Sequence, residues 1–338
     1  MILEVDGLQI HYRTAGGTVR AVDGASFAIP EGRIVGLVGE SGCGKTTAVR
    51  AIMGVLAENG RRAGGRVTFK GKPIDEATTK PLLWRDIAYV PQSAMSSLDP
   101  VYTVGSQIVE VLTRRGRYGK AAARARAAEL FDLVGLSESR LTDYPHQFSG
   151  GMRQRAAIAM ALALEPSLLL ADEPVTALDV IVQRQILDTL RALQQRLKLS
   201  MVLVTHDISV VAYLCDEVVV MYAGQVIESG PVRDVLGRPR HPYTMGLRNA
   251  FPDLMSDALE LVPIAGSPPD LGDPPPGCRF TPRCPFALAT CSTQPAFIGA
   301  GNDRAHISAC LRDGEADHLR TSALDPVTWQ RSSAYATS

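Results

Sequence analysis

"GESGCGKTT", residues 39–47, is a glycine-rich loop that directly follows the apolar stretch "RIVGLV". The residues that fit the pattern G-x-x-x-x-G-K-[ST] are Gly39, Gly44, Lys45 and Thr46. Glycines let the backbone curl so that successive N–H groups point inward, and the helix that follows presents its positive end. The lysine reaches the β- and γ-phosphates, and the threonine hydroxyl can bind magnesium. The stretch, which we call the phosphate loop, therefore predicts an α/β fold that binds a nucleotide.

The remaining sequence divides into two regions by composition. Up to residue 238, apolar β-branched runs alternate with helical patterns, which predicts an α/β domain with a mostly parallel sheet over residues 1–238. Alanine-rich stretches predict a helical subdomain inserted at about residues 96–164. Residues 239–338 lose this pattern, and Pro263 to Pro285 holds eight prolines. We expect this second region to be an irregular extension.

Composition narrows the classes of function. The 338 residues are 46% hydrophobic and 21% charged, and 35 basic residues balance 35 acidic ones, so no overall field attracts nucleic acid. The start, "MILEVDGLQI", has no basic segment before an apolar run, so we expect a cytosolic chain without a signal peptide. The most apolar stretch, Ala156 to Ala171, is interrupted by Glu165 and Pro166 and is shorter than the roughly 20 residues of a membrane-spanning helix. A membrane would be reached only through partners.

A second element, "LLLADEP", is an apolar strand that ends in two carboxylates, Asp172 and Glu173. By itself such a pair is more often a solvated strand end or a helix cap. Together with a phosphate loop it fits phosphoryl transfer, in which one carboxylate holds magnesium and the other orients the attacking water. We assign the metal to Asp172 and the water to Glu173.

Between these elements, "HQFSGGMRQR" places a serine and two glycines before a long helical pattern. Ser149 can cap the helix, and Gly150 and Gly151 permit close approach of another backbone. This is a second helix start able to bind an anion, and it is redundant if one chain builds one site.

The motifs resemble those of ATP-binding cassette (ABC) ATPases in order and spacing. They are "GESGCGKTT", "YVPQ" with Gln92, "FSGGMRQR", "LLLADEP", "TALD" with Asp179 and "LVTHD" with His206. The resemblance covers residues 1 to 235. It implies a RecA-like core with an inserted helical subdomain and an N-terminal antiparallel β part. It also implies that two subunits pair head to tail, each completing the other's ATP site with its Ser149 loop, which explains the redundant helix start.

Carried over position by position, the resemblance implies a set of site residues. The catalytic residues are Glu173, His206 and Gln92, and the magnesium ligands are Thr46, Gln92 and Asp172. The ATP contacts are Tyr12, Gly39, Ser41, Gly42, Cys43, Gly44, Lys45, Thr46, Thr47, Ser149, Gly150, Gly151 and Asp179. Tyr12 would stack on adenine and His206 would contact the γ-phosphate, although each alone would be read as a packing residue or a cap.

Further features narrow the family. "FSGGMRQR", "SSLDPVYTVGSQI" after Gln92, and "RHPYT" before a cysteine-containing tail are similar to the first of two ATPase subunits in oligopeptide and dipeptide importers. This resemblance implies a second, related ATPase subunit, two integral membrane permease subunits and an extracytoplasmic substrate-binding protein. Such a chain lies at the cytoplasmic face of the membrane and has no nucleic-acid partner. The alternative is a soluble ABC ATPase acting on nucleic acid or ribosomes, which usually carries coiled-coil insertions, tandem cassettes or basic arms.

Four cysteines in the second region form a candidate metal site: Cys278, Cys284, Cys291 and Cys310. Disulfides are disfavoured where thiols are kept reduced. Zinc knuckles usually pair cysteines two to four residues apart, and these gaps are wider. Iron–sulfur sites accept wider spacing, and Cys284-Pro285 resembles the Cys-Pro of ferredoxin runs. Some peptide-importer ATPases carry a four-iron cluster here, so we favour a structural [4Fe–4S] cluster, with zinc as the alternative.

Overall fold

Residues 1–250, 263–293, 295, 297–300 and 303–330 are described by the computed structural model of the chain. The strands are β1 (Leu3–Thr14), β2 (Gly17–Ile29), β3 (Ile34–Val38), β4 (Gly60–Phe69), β5 (Lys72–Ile74), β6 (Ile87–Val90), β7 (Leu168–Asp172), β8 (Ser200–Thr205), β9 (Glu217–Tyr222), β10 (Gln225–Pro231), β11 (Ile298–Ala300) and β12 (Asp303–Ser308). The α-helices are α1 (Lys45–Ile52), α2 (Glu76–Thr79), α3 (Val104–Arg114), α4 (Lys120–Leu133), α5 (Gly150–Ala161), α6 (Val180–Leu197), α7 (Ile208–Leu214), α8 (Val232–Gly237), α9 (Pro242–Asn249), α10 (Ala316–Ala323) and α11 (Pro326–Gln330).

These elements belong to two units. The first unit contains Met1–Ile2, Ile29–Ile34 and Ile74–Val204. The second unit contains Leu3–Ala28, Val35–Pro73 and the described part of Thr205–Ser338.

The second unit begins with a four-stranded sheet in the order β2-β1-β4-β5, in which β1 and β4 run antiparallel. Apolar side chains alternate along β1, where Leu3, Val5, Leu8 and Ile10 are buried. The alternation shifts at Gly7, whose φ of 57° lies in the left-handed region, and the register of β1 against β4 shifts there too. The expected N-terminal antiparallel part is confirmed.

The same unit contains a mixed arrangement of strands in the order β11-β12-β10-β9-β3. β3 runs parallel to β9, and β10 pairs antiparallel with both β9 and β12. All five residues of β3 are buried, as expected for a strand covered on both faces. Its carboxyl end leads directly into the loop at residues 39–44 and then into α1.

In the first unit, β6, β7 and β8 are parallel neighbours, and every residue of β7 and β8 is buried. Between β6 and β7 the chain forms α3, α4 and α5, which all lie within residues 96–164. One face of α4 buries Ala127, Leu130 and Phe131, whose spacing follows the helical repeat. The Phe131 ring meets Phe148 edge-on, with centroids 6.4 Å apart. The α/β fold with a helical insertion is confirmed.

The most apolar stretch of the sequence is divided between two elements. Its first part completes α5, the chain turns at Glu165 with a left-handed φ of 54°, and its last part forms β7. Among the residues described above, no helix has the length and apolarity that crossing a bilayer requires.

The proline-rich extension contributes more core than its composition suggests. Phe280 is 1% exposed and packs edge-on against Tyr222 and Tyr243, with ring centroids 5.2 Å and 5.4 Å away. Tyr222 and Tyr243 are themselves buried, with centroids 4.6 Å apart. Through Tyr222, these rings attach the extension to β9.

A buried charged network also holds the extension. The Glu228 carboxylate on β10 is 0% exposed and accepts hydrogen bonds from the backbone N–H groups of Arg240 and His241, at 2.7 and 2.9 Å. The Nε2 atom of His306, on β12, lies 2.7 Å from the same carboxylate. Arg240 in turn forms an ion pair with Asp313. The network links β10, the start of α9 and β12.

Candidate functional site

The loop between β3 and α1 has a shape that only glycine permits at two positions. Gly39 has a φ of 156°, and a Cβ atom there would lie 2.1 Å from the Met221 carbonyl oxygen. Gly44 has a φ of 103°, and a Cβ atom would lie 2.3 Å from the Ala21 carbonyl oxygen. Both contacts are shorter than real Cβ contacts allow. The two glycines therefore set the curvature of the loop, which passes into α1 at Lys45.

Lys45 lies under this loop and is 6% exposed. Its Nζ donates hydrogen bonds to the carbonyl oxygens of Gly39, at 2.7 Å, and Glu40, at 2.9 Å. Cys43 is buried beside it, and burial raises the pKa of the thiol, although Lys45 opposes the shift. The loop thus combines an ammonium group with the N-terminal end of a helix, an arrangement that suits a phosphate. Ser41 and Gly42 are exposed, and Thr46 and Thr47 are half-buried in the first turn of α1.

The two adjacent carboxylates after the "LLLAD" strand have different environments. Asp172, the last residue of β7, is 1% exposed and accepts a hydrogen bond from the Tyr89 hydroxyl at 3.2 Å. Glu173 has a left-handed φ of 47°, which is uncommon for a residue other than glycine. Its Oε2 accepts hydrogen bonds from Gln92 Nε2 at 2.9 Å and from the Thr176 hydroxyl at 3.0 Å. The structure therefore brings Gln92 and Glu173 together, 81 residues apart in sequence.

The "FSGG" loop forms a helix start. Ser149 caps α5 by accepting a hydrogen bond from the Met152 N–H at 3.3 Å. A Cβ atom on Gly151 would lie 2.4 Å from Cγ1 of Val182, so a larger residue would push α6 away. Asp179 caps α6 and accepts a hydrogen bond from the same Val182, at 2.9 Å from its N–H. The Ser149 loop, with Gly150, and the Asp179 cap are therefore neighbouring helix starts, and Ser149 and Asp179 are exposed.

Tyr12 and His206 lie on different elements. Tyr12 is half-buried on β1 opposite Gly60, where a Cβ atom would lie 2.5 Å from the tyrosine ring. His206 is exposed and follows β8 directly, while the next residue, Asp207, caps α7. The roles of both residues remain predictions.

The four cysteines of the extension meet at one cavity. Cys278, Cys284, Cys291 and Cys310 are free thiols and line a space of about 20 Å³ together with His241 and Phe280. Burial raises the pKa of Cys278 and Cys284, and it raises that of Cys310 to about 12. Within the described ranges, no three or more His, Cys, Asp or Glu side chains are arranged so that they could hold a metal ion. The structure gathers the thiols but does not by itself support a metal site.

Two residues of the extension contact the phosphate loop, and no motif in the sequence indicates either contact. Tyr243 and Arg283 both bind Glu40, over sequence separations of 203 and 243 residues. Tyr243 falls inside "RHPYT", which distinguishes the branch but gives no indication of this contact. No local pattern in the sequence could have identified Arg283.

Comparison with known proteins decides the family. Residues 22–176 match the ABC transporter family, and residues 227–291 match the family described as the C-terminal region of oligopeptide/dipeptide transporters. The chain belongs to the ABC transporter family, in its oligopeptide/dipeptide branch.

Relatives in this branch match over nearly their whole length. The dipeptide transport ATP-binding protein DppD of Bacillus subtilis is 43% identical over 323 residues, which are 94% of this chain and 96% of the relative. The oligopeptide transport ATP-binding protein OppD of Salmonella typhimurium is 45% identical over 320 residues, 93% of this chain and 95% of the relative. These relatives support the predicted transport function and not the alternative of a soluble ABC ATPase acting on nucleic acid.

A solved ABC structure supports the fold. A dimeric ATP-binding cassette, determined in a post-hydrolysis state with ADP and Pi, has a TM-score of 0.61 and 27% identity to this chain. It covers 68% of this chain and 99% of its own. The ABC ATPase fold predicted from the motifs is confirmed.

Proposed function

We propose that this chain is the ATP-hydrolysing motor subunit of an importer for oligopeptides or dipeptides. The observation that carries the proposal is that one chain joins an ABC transporter region to the C-terminal region of oligopeptide/dipeptide transporters. The phosphate loop, with its buried Lys45 and its two glycines at positive φ, supports ATP as the ligand.

In this proposal the loop at residues 39–47 binds the phosphates through Lys45 and the N–H groups at the start of α1. Tyr12 stacks on adenine. The Asp172 carboxylate and the hydroxyl of Thr46, with the amide of Gln92, offer oxygen ligands of the kind magnesium prefers. Magnesium, when bound, would neutralise charge on the phosphates.

Glu173 then acts as the base. Gln92 and Thr176 hold its Oε2, which orients the carboxylate to accept a proton from the attacking water. His206 contacts the γ-phosphate. The left-handed backbone at Glu173 separates this side chain from Asp172, so that adjacent residues serve different roles.

We further propose that two such ATPases pair, each completing the other's site with its Ser149, Gly150 and Gly151 loop and with Asp179. Val180 and Ile181, at the start of α6, are 81% and 72% exposed, which is unusual for apolar residues on a soluble surface. The second ATPase is a related but distinct subunit. The isolated chain should therefore hydrolyse ATP slowly, and adding the second subunit should raise the rate. A rate per chain that is constant on dilution and indifferent to the second subunit would contradict the shared site.

The membrane partners are two permease subunits, with an extracytoplasmic binding protein delivering the peptide. Val101 and Tyr102, in the segment that follows Gln92, are 70% and 58% exposed and offer an apolar contact. The chain then lies at the cytoplasmic face as a peripheral subunit, and Gln92 connects that surface to Glu173.

The four cysteines are proposed to hold a structural [4Fe–4S] cluster. The donor set fits, because four free thiols meet at a buried cavity that also contains Phe280. The four thiols would lose their protons when the cluster binds. When bound, the cluster supplies a cross-link between Cys310 and the 278–291 segment.

The function is tested on the complex of this chain with a second ATPase, two permease subunits and a binding protein in proteoliposomes. Peptide uptake should require ATP. Glu173→Gln should retain ATP binding and lower hydrolysis by about 10²–10⁴-fold, because it removes the base and leaves the phosphate loop intact. Glu129→Gln, on the exposed side of α4, is the control and should leave hydrolysis unchanged. Hydrolysis stimulated by nucleic acid but not by the permease subunits would favour the alternative function.

The cluster is tested on protein purified without oxygen. We expect brown protein with four irons and four acid-labile sulfides per chain, and Cys291→Ser should lose both. Cys215→Ser, a buried thiol far along the chain from the four cysteines, should keep them. Colourless protein with one zinc per chain would establish zinc instead.

A further inference from the structure

Glu40, the second residue of the phosphate loop, is held by the C-terminal extension through a two-point ion pair. Nη1 of Arg283 donates to Oε2 at 2.8 Å, and Nη2 donates to Oε1 at 3.1 Å. The side chains are 7% and 25% exposed, so water screens the pair only partly. Bidentate arginine–carboxylate pairs fix direction as well as distance.

The same residue is held by its backbone. The Glu40 N–H donates to the hydroxyl of Tyr243 at 2.9 Å, and Tyr243 is 0% exposed. On the other side of the peptide chain, the Glu40 carbonyl accepts from Lys45 Nζ at 2.9 Å. The N–H, the carbonyl and the carboxylate of one loop residue therefore each have a defined partner, and two of those partners belong to the extension.

Arg283 is itself rigidly placed. It donates to the carbonyl oxygens of Ile264, at 3.2 Å, and Ala265, at 3.0 Å, and to the Tyr222 hydroxyl at 3.3 Å. Burial alone would lower the pKa of Arg283, but its hydrogen bonds to Glu40 and Tyr222 outweigh burial and raise it, so the charge is retained. Because three other groups fix Arg283, its guanidinium can hold Glu40 at a defined position.

The geometry points to Arg283 and Tyr243 as positioning residues for ATP: the extension holds Glu40 so that the phosphate loop keeps its binding shape. Neither residue touches a phosphate in this assignment. They act by fixing the backbone N–H and the side-chain carboxylate of Glu40, next to the N–H groups that bind the ligand. This inference rests on the proposed function only in requiring that the loop at residues 39–47 binds ATP.

The test measures the Kd of the full chain for Mg-ATP by calorimetry or a fluorescent ATP analogue. Arg283→Gln should raise Kd about tenfold, because a charge-assisted pair to the loop is lost, and Arg283→Lys should recover part of the affinity. Glu40→Gln should have a similar effect. The double variant, Arg283→Gln with Glu40→Gln, should bind ATP no more weakly than either single variant, since each substitution removes the same ion pair. Tyr243→Phe should weaken binding through the unpaired Glu40 N–H.

Controls separate positioning from loss of folding. Arg320→Gln removes a different ion pair of the extension, that with Asp317, and should leave Kd unchanged. In the assembled transporter, Arg283→Gln should raise the KM for ATP and leave kcat within about twofold, because Glu173 and Gln92 are not altered. A purely structural role would instead lower the urea midpoint of Arg283→Gln, and the loss of ATP affinity would not be rescued by lysine.

The outcomes distinguish the two proposals. If the Kd of Lys45→Ala for ATP equals that of the natural chain, the assignment of the loop and the proposed function are both wrong. If Lys45→Ala loses ATP while folded Arg283→Gln and Glu40→Gln retain the natural Kd, the loop is correct and the positioning role is wrong.

Discussion

Replacing Glu228 by glutamine tests whether the buried charged network holds the extension in place. Glutamine has nearly the same size, so no cavity forms, but one carboxylate oxygen becomes an NH₂ group. Oε1 accepts from the Arg240 N–H and lies 2.7 Å from His306 Nε2, and Oε2 accepts from the His241 N–H. Whichever way the amide turns, its NH₂ group faces a backbone N–H, and at least one hydrogen bond to a charged group is lost.

The magnitude follows from that geometry. A hydrogen bond to a charged group contributes about 1.5–3 kcal/mol, and the facing donors add the cost of an unsatisfied buried group, so we expect a loss of about 2–4 kcal/mol in the free energy of unfolding. For a chain of this size, about 2 °C of Tm corresponds to 1 kcal/mol. Glu228→Gln should therefore lower Tm by about 4–8 °C. Circular dichroism melts and urea midpoints measure the change.

Glu4→Gln is the matched control, since Glu4 is exposed on β1 in the same unit. It should change stability by less than about 0.5 kcal/mol. If Glu228→Gln melts within 1 °C of Glu4→Gln, the network contributes no net stability, and the extension is held by other contacts, which include the aromatic rings and the Arg283–Glu40 pair.

Two further predictions concern the phosphate loop. Gly44→Ala should fold but lose most ATP affinity, because its Cβ would collide with the Ala21 carbonyl and displace the loop. Titration with ATP measures the change, and retained affinity would show that the loop can accommodate the methyl group. Cys43 should be alkylated slowly by iodoacetamide at pH 8, because burial raises the pKa of its thiol and the thiolate is the reactive form. Its rate, followed by mass spectrometry, should still rise above pH 9.0, the ordinary thiol value; a plateau there would show an unshifted thiol.

The elements that could be predicted from sequence are those whose chemistry is local. The loop at residues 39–47 carries its glycines, lysine and helix start within nine residues, and "LLLAD" is recognisable as a buried strand by its apolar run. The alanine-rich α4 shows its buried face in the spacing of Ala127, Leu130 and Phe131. In each case one short window contains both the pattern and its physical reason.

Contacts between distant segments could not be predicted in this way. Tyr89 donates to Asp172 over a separation of 83 residues, and a tyrosine in an apolar strand is ordinarily read as packing. The Glu228 network joins residues whose charges look like surface charges in the sequence. Polar residues acquire such partners only when strands and helices are placed, because a buried carboxylate is tolerated only where donors converge on it.

The extension shows most clearly why composition misleads. Prolines, glycines and scattered cysteines indicate a loose lobe, because no helical or strand period accompanies them. Yet Phe280 and Arg283 lie only three residues apart on a single turn, one packed on Tyr222 and the other on Glu40. A short turn that places one aromatic ring and one guanidinium needs no periodic pattern, since the neighbouring β9 and α9 supply the surface. The turn also contacts the phosphate loop directly. A displacement of Arg283 would therefore move Glu40 through their ion pair, with no helix or strand in between. A lobe that looked separable by composition is thereby joined to the phosphate loop by a contact of 2.8 Å.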